Sequence, residues 1–579
     1  MKKIFYLFPL LFGFPLLAQN NYVATSPATN SPSQFNTLVG INAGNTSLTG
    51  QDNTATGAYA GYSLTSGTDN VFYGFNAGRL TTTGGGNAFL GVAAGYSNTT
   101  GGSNTFVGGN AGFYNTSGYS NVFLGRSAGN TNRTGNDNSF IGANAGLFNF
   151  DGIENTFVGS SAGFTNTSGF GNSFVGRKAG YNNTTGYSNV FFGNVSGDAN
   201  TTGYSNVFLG VLSGHSNTTG VRNTFVGTSA GSSSTTGSEN VYVGSLAGIG
   251  TNTGSNNSFL GSNAGYSNAS GSWNTFIGYS SGYSNSTGTR NLFIGSNAGY
   301  FNNTGLSNTF VGQSAGYNNS LGNNNTFVGT GAGYNNTTGN NNIIIGPNSG
   351  TAITTSDDNV LMGYNAQAGD GKGGHNVIIG GEAGGGQWAG TSNTMIGHQA
   401  SAESMALHHA TAIGAGARVT VSNAVVIGNQ ANVGIGTTAP TARLHISSGQ
   451  PNVSGLRLAD LTTNSPTTQH TDQFLTVNER GDVIKARYQL RISNVTEWSD
   501  KVFSPTYQLR PLDSVANYVR EQGHLPGVPS ATELVKEGID LVKMNATLLE
   551  KIEELTLYMI QQQKRIEQLE SRVERQTKP

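Results

Sequence analysis

Five tyrosines recur at a spacing of 17 residues: Tyr266, Tyr283, Tyr300, Tyr317 and Tyr334. Tyrosine offers a flat apolar ring and a hydroxyl, which suits sugar rings and protein anchors rather than bond breaking. The equivalent place on other rungs holds Arg79, Asn130, Asp198, His215 and Ile249, so packing does not dictate its identity and it is expected at the surface. If each step is one stacked strand, the row runs roughly 19 Å. It reads as a contact site for a glycan or a host or cell-surface protein, or as a row that seals the groove between subunits.

No other residue set offers sharper chemistry. The eight histidines are scattered, and His408-His409 has no carboxylate or cysteine partner at ligand spacing, so it reads as surface. The absence of cysteine excludes disulfides and thiolate zinc sites. Glycine pairs abound, but no glycine loop precedes a helix, as phosphate binding requires. Calcium-binding β-roll repeats need a regular aspartate, which these units lack. The many N-T-T and N-T-S triplets match the glycosylation sequon but read as turn chemistry repeated with the unit. The expectation is therefore no catalytic residue, no cofactor and no metal.

The tyrosines belong to a unit of 17 residues, roughly N-T-F-V-G-x-x-A-G-Y-x-N-T-T-G-x-x, that begins at Asn36 and returns 22 times, to Asn393, without a slip. A unit this short cannot bury its own apolar face, so neighbours must stack as rungs of a solenoid. In Asn104-Thr105-Phe106-Val107-Gly108 the β-formers read as a short strand, with Asn104 and Phe106 on one face and Thr105 and Val107 on the other. Phe or Tyr fills the third position from Phe72 to Phe327, a ladder of core rings. The asparagine row can bond its amides from rung to rung. Glycine at the fifth position fits a corner with positive φ or a close backbone approach. Alanine or serine at the eighth predicts a second short strand packed there. N-T-T-G at the twelfth to fifteenth predicts a turn whose Asn and Gly supply the unusual angles. Apolar groups on both faces of the strand ask for cover on both sides. The coil covers one; another copy of the chain most simply covers the other.

The chain has 579 residues with 87 glycines, 10% charged residues and a net charge of −1, so no basic field points to nucleic acid. Lys2 and Lys3, the apolar run Ile4 to Leu17 and Ala18-Gln19-Asn20 predict a signal peptide at 1–18 cut after Ala18. The run is too short to span a bilayer and carries Pro9 and Pro15. The mature chain is expected outside the cell, secreted or held at a surface, without an integral membrane span.

Expected regions follow the composition: a lead-in at 19–35, the 17-residue repeat at 36–409, shorter coils at 410–436, a β-rich connector at 437–500, a helical segment at 501–543 and a coiled coil at 544–579. In the shorter coils Ala410-Thr411-Ala412-Ile413-Gly414 returns after 14 residues as Ala424-Val425-Val426-Ile427-Gly428, then Val433-Gly434-Ile435-Gly436. Before them Ile344, Leu361, Ile378 and Met395 replace Phe, as though the coil narrows. These units resemble the head repeats of YadA-type trimeric adhesins. The resemblance implies a left-handed parallel β-roll with three chains side by side. That family ends in a membrane barrel; this chain ends Arg575-Gln576-Thr577-Lys578-Pro579 with no alternating strands before it. It therefore looks like a passenger without its own translocator.

The C-terminal block resembles the tails of tail-fibre-like surface proteins. Phe474 to Val477, a turn at Asn478 to Asp482, and Val483 to Lys485 predict a hairpin. Asp513 to Gln522 predicts a helix ended by Gly523, and Ser530 with Glu533 a capping box. Self-cleaving chaperone tails begin with Ser-Asp and a downstream lysine; Lys501 follows Ser499-Asp500 at once, a poor match. From Leu548 a heptad places Ile552, Met559, Ile566 and Val573 at a, and Leu548, Leu555, Gln562 and Leu569 at d, with Arg565 able to pair with Glu570 of a neighbour. Ile or Val at a with Leu at d favours two strands, whereas a three-chain roll asks for three. The expected object is a homotrimeric adhesive or surface-recognition fibre. The alternatives are a purely structural matrix fibre and an ice-binding solenoid. The last is disfavoured because N-T-T-G would put adjacent threonines on opposite sides.

Overall fold

Each unit of the repeat closes one coil and contributes one three-residue strand, from Thr37–Val39 to Thr394–Ile396. The computed structural model describes residues 33–577 apart from 369–372, 386–389, 405, 452, 454, 458, 460–472, 488–493 and 495–497, so the expected signal peptide and most of the lead-in lie outside the described residues. Neighbouring strands pair in parallel one unit apart, as in Thr105↔Val122, Phe106↔Phe123 and Val107↔Leu124. With Thr411–Ile413 and Val425–Ile427 they form a 24-stranded sheet. The chain divides near Gly455, and this parallel solenoid of 17-residue coils is the first unit.

Among the described residues the wall opposite the sheet carries a strand only at its end, where Ser401–Ala402 pairs in parallel with Arg418–Val419. On the preceding rungs the second strand predicted at the eighth position is a run of turns instead, because residues such as Asn110 at φ 58° and Gly112 at φ 57° break the extended backbone. The turns still bond from rung to rung: Gly112 N–H donates to the Ala128 carbonyl at 2.9 Å and Tyr114 N–H to that of Asn130 at 2.8 Å. Between the two walls lie the aromatic rings. From Phe72 to Phe327 none is more than 1% exposed, and successive rings stack with centroids 4.7–5.1 Å apart and planes within 18°. A Cβ on Gly112 would lie 2.4 Å from Cε2 of Phe106, so glycine there is the space the ring fills.

The first-position asparagines form the expected amide row. Asn104 Nδ2 donates to Asn87 Oδ1 at 3.1 Å and to the Gly118 carbonyl at 2.8 Å, while its backbone N–H gives that same Asn87 oxygen a second bond at 3.0 Å. Every amide atom of this buried side chain is thereby used. The twelfth-position asparagines, read from sequence as turn residues, form a second row. Asn115 Nδ2 donates to Asn98 Oδ1 at 2.8 Å and to the Gly118 carbonyl at 3.1 Å, so that one glycine oxygen ties the two rows together. Neither Asn115 nor Gly118 takes a positive φ. Glycine is needed at 118 because a Cβ would lie 2.4 Å from both Asn115 Oδ1 and the Gly135 oxygen. The unusual angles fall elsewhere: on every fifth-position glycine, at φ 128–148°, on ninth-position glycines such as Gly112 at 57°, and on mostly non-glycine residues at the seventh and seventeenth positions, such as Val195 at 60° and Trp273 at 61°.

Past Asn393 the spacing of 14 occurs in one pairing, Thr411↔Val425. The next strand, Val433–Ile435, pairs with Leu444–Ile446 instead, so the shorter unit is a single step and not a series.

The second unit holds the predicted hairpin, Gln473–Val477 antiparallel to Val483–Arg487, a 3-10 turn at Ser499–Phe503, and three helices among the described residues. These are α1 at Leu512–Gln522, α2 at Ala531–Glu537 and α3 at Leu541–Gln576. Gly523 ends α1 at φ 78°, and Ser530 and Glu533 form the expected capping box. Asp540 caps α3, accepting from Val542 and Lys543 N–H at 2.9 and 3.0 Å, a signal the heptad reading passed over.

Candidate recognition surface

The tenth position of the unit lies on the turn wall, across the buried rings from the sheet. Tyr266, Tyr283, Tyr300, Tyr317 and Tyr334 are half-buried there. Their rings stack at 4.7, 4.9, 5.1 and 4.9 Å, with planes 1–14° apart. The five residues expected to act together are therefore brought together, with one difference. At this spacing each inner ring has both faces covered by its neighbours, so the row presents edges and hydroxyls rather than the flat faces expected from sequence. Burial first, and the neighbouring phenols Tyr283, Tyr317 and Tyr279 after it, raise the Tyr300 hydroxyl above the ordinary phenol range, so at neutral pH it stays a hydrogen-bond donor.

Two further aromatics join the row without any periodic signal to announce them. Phe301, at the eleventh position, is 44% exposed. Its ring is perpendicular to Tyr300, at 4.8 Å and 78°, and to Tyr317, at 5.3 Å and 90°. Tyr279 is exposed at the sixth position and adds to the charge environment of Tyr300. A separate stack, Phe170, Tyr187 and Tyr204, occupies the sixteenth position at 4.9 and 4.7 Å. It was equally unforeseen, because that position varies widely on other rungs, from Gly85 and Tyr119 to Ile153, Ser238 and Asp357.

Elsewhere at the tenth position Tyr96 stacks on Phe113 and Phe164 on Tyr181, each pair at 4.8 Å, while the charged rungs make a different contact. His215 Nδ1 and Asp198 Oδ1, one rung apart, form a hydrogen-bonded pair. Burial raises the Asp198 carboxyl above its ordinary value, against the lowering effect of His215. His408 and His409 are both exposed, with rings 5.7 Å apart. No group of three His, Cys, Asp or Glu side chains converges among the described residues.

Thr116 is half-buried and Ser117 exposed, between buried Asn115 and Gly118. The inner hydroxyl is engaged: Thr116 Oγ1 donates to the Arg133 carbonyl at 3.0 Å, and Thr99 Oγ1 to that of Thr116 at 2.9 Å.

On α3 the heptad residues Leu548, Ile552, Leu555, Met559, Ile566, Leu569 and Val573 are 46–66% exposed, and Gln562 is exposed with them. The helix is held to its own chain by another side. Lys501 Nζ lies 2.9 Å from Glu550 Oε2, Tyr507 donates its hydroxyl proton to Glu554, and Tyr558 donates to the Arg510 carbonyl. No helix among the described residues is long and apolar enough to cross a membrane. Set against known proteins, the chain matches no family model and no curated sequence.

Proposed function

We propose that the chain is a homotrimeric fibre outside the cell that binds a surface, an adhesin without catalytic activity. The observation that carries this reading is the outer row of the sheet. The fourth position is apolar in 20 successive units, from Tyr73 to Ile396, and Leu90, Leu124, Phe192 and Leu260 along it are 40–57% exposed. An exposed apolar strip this long marks an interaction surface. At one strand per rung it runs about 90 Å. A second copy of the chain carries the same apolar residues at the same pitch and can match that length rung for rung.

The open heptad face of α3 supports assembly at the other end of the chain. The sequence likeness of Ala410–Gly414 and Ala424–Gly428 to trimeric adhesin heads favours three copies over two. The sequence pattern of a signal peptide at 1–18 supports a place outside the cell. Light scattering on the mature chain should report three times the chain mass, and Ile552→Asp with Leu555→Asp should bury charge in the seam and reduce it. A parent chain that stays monomeric would refute the trimer. Labelled fibre should bind cells saturably. Binding that never saturates would favour the purely structural fibre, and faceting of ice crystals would favour the ice-binding alternative.

A further inference from the structure

We infer that the rungs around Phe301 bind an uncharged oligosaccharide, with the Phe301 ring as its platform and the hydroxyl edges of Tyr283, Tyr300 and Tyr317 as its hydrogen-bonding border. This rests on the reading of the fibre as a recognition surface and names the ligand class for it.

The geometry begins with the stack. Tyr300 and Tyr317 already cover each other's faces at 5.1 Å. A ring perpendicular to both, at 4.8 and 5.3 Å, therefore meets them at their edges and turns one of its own faces to them. The opposite face of Phe301 belongs to the exposed 44% of the residue. The tyrosine row alone lacks a free aromatic face; Phe301 supplies one.

The surroundings select the ligand. The eleventh position on the neighbouring rungs is Ser267, Ser284, Asn318 and Asn335, so Phe301 is a single apolar disc in a line of hydroxyls and amides. A pyranose has the matching layout: an apolar C–H face for the ring and hydroxyls around its rim. Between Glu239 and Asp357 the only charged residue is Arg290, at the seventeenth position rather than the tenth or eleventh, so the stretch offers a single cation to uronate, sulfate or phosphate groups and no basic cluster. Along the fibre a fresh tyrosine edge recurs every 4.7–5.1 Å from Tyr266 to Tyr334. A sugar chain laid along the axis meets one at each step, so affinity should rise with chain length.

The test is calorimetric titration of the full chain with neutral hexasaccharides of β-1,4-glucan, β-1,3-glucan and mannan, their disaccharides, and hexagalacturonate as an anionic control. The expected result is binding of at least one neutral hexasaccharide, at least tenfold tighter than its disaccharide. Phe301→Ser should weaken it at least tenfold, and Tyr300→Phe, which keeps the ring and removes the hydroxyl, severalfold. Both variants should keep the parent circular dichroism and mass. No binding by any neutral hexasaccharide, preference for hexagalacturonate, or full affinity in Phe301→Ser would each overturn the site. Cell binding separates the two readings. Saturable binding to cells that survives Phe301→Ser leaves the recognition fibre standing and removes the sugar site. Sugar binding by a fibre that binds no cell does the reverse.

Discussion

Asn132 donates from Nδ2 to Oδ1 of Asn115, the residue 17 places earlier, at 2.8 Å, and to the Gly135 carbonyl at 3.1 Å. The next link, Asn149 to Asn132, repeats the first bond at 2.8 Å in the same direction. Buried amides pointing head to tail polarise one another and satisfy each interior member, while Asn217 and Asn336, where runs of the row end, keep an unpartnered Oδ1. The same row would be a liability if one member failed, because a buried amide group without its partner costs far more than a satisfied one gains.

Asn132→Ala should therefore orphan the Asn149 Nδ2 proton on one side and the Asn115 oxygen on the other. The expected cost is about 1–3 kcal/mol for each group left unpaired. Because rungs couple to their nearest neighbours, the loss should appear as faster amide exchange across roughly the adjacent rungs and fade beyond them. Protection unchanged at Asn115 and Asn149 would show the row to be dispensable.

The row breaks at Ser234 and Thr251, and there the aromatic ladder carries its one tyrosine, Tyr242. Its hydroxyl is buried close to Thr251 and Asn257 without a well-formed hydrogen bond, and burial drives the phenol far above its ordinary range. The third and twelfth positions trade volume elsewhere too: Ala55 goes with Leu64 and Ile344 with Ile353, all fully buried. Phe123→Tyr alone should press a hydroxyl on Asn132 and destabilise the rung, and Asn132→Thr alone should leave a gap. Together they reproduce the Tyr242–Thr251 pair and should be less costly than the sum, with a coupling of about 0.5–3 kcal/mol in a double-mutant cycle. Simple additivity would mean that the two positions do not share space.

Val195 sits at φ 60°, a region that costs an L-residue about 1–2 kcal/mol and is worst for a β-branched one. Its N–H bonds the Arg177 carbonyl at 2.9 Å, so the ladder holds the angle against the residue's own preference. Other rungs place Asn76, Asn110 and Asn144 at the same point, with φ 57–59°. Val195→Asn should stabilise the local rungs by about 1 kcal/mol, seen as slower exchange around 190–200. Faster exchange would mean that the valine side chain contributes packing greater than the strain it carries.

These positions also explain what the sequence could disclose. The solenoid, its period, the Phe core and the first asparagine row were legible because each requires one residue type on every rung, and repetition makes the requirement visible. The hairpin at Gln473–Arg487 and the Ser530–Glu533 box were legible because turn and cap chemistry is local. The left-handed backbone at Val195 and Trp273 was not, since bonds to the neighbouring rung set it while the residue type varies freely. Asn115 was misread because N-T-T-G looks like a turn, and only the stacked neighbour reveals that its amide points inward. The tyrosine row was legible from its spacing. Phe301 was not, because aromatics fall at that variable position only on scattered rungs, as at Tyr114 and Phe148, and carry no period.

The last prediction concerns the contact that ties α3 to the 3-10 turn. Lys501 Nζ is 2.9 Å from one Glu550 oxygen and Lys551 Nζ 3.6 Å from the other. Burial by itself would raise the Glu550 carboxyl; the bond and charge of Lys501, with Lys551, outweigh it and leave the group below its ordinary value. A carboxyl held lower in the folded chain binds its proton more readily once unfolded. The stability it contributes is therefore full above the ordinary glutamate range, near about pH 4.3, and is lost as pH falls through the lowered value. Exchange of the Ser499–Phe503 amides, corrected for the intrinsic rate, should accelerate on acidification through that window. Lys501→Met removes the principal partner, so the Glu550 carboxyl, followed by carbon-13 resonance, should titrate at higher pH than in the parent and the acid-induced loosening should shrink. A Glu550 midpoint unmoved by Lys501→Met would mean that the ion pair does not hold the turn to the helix.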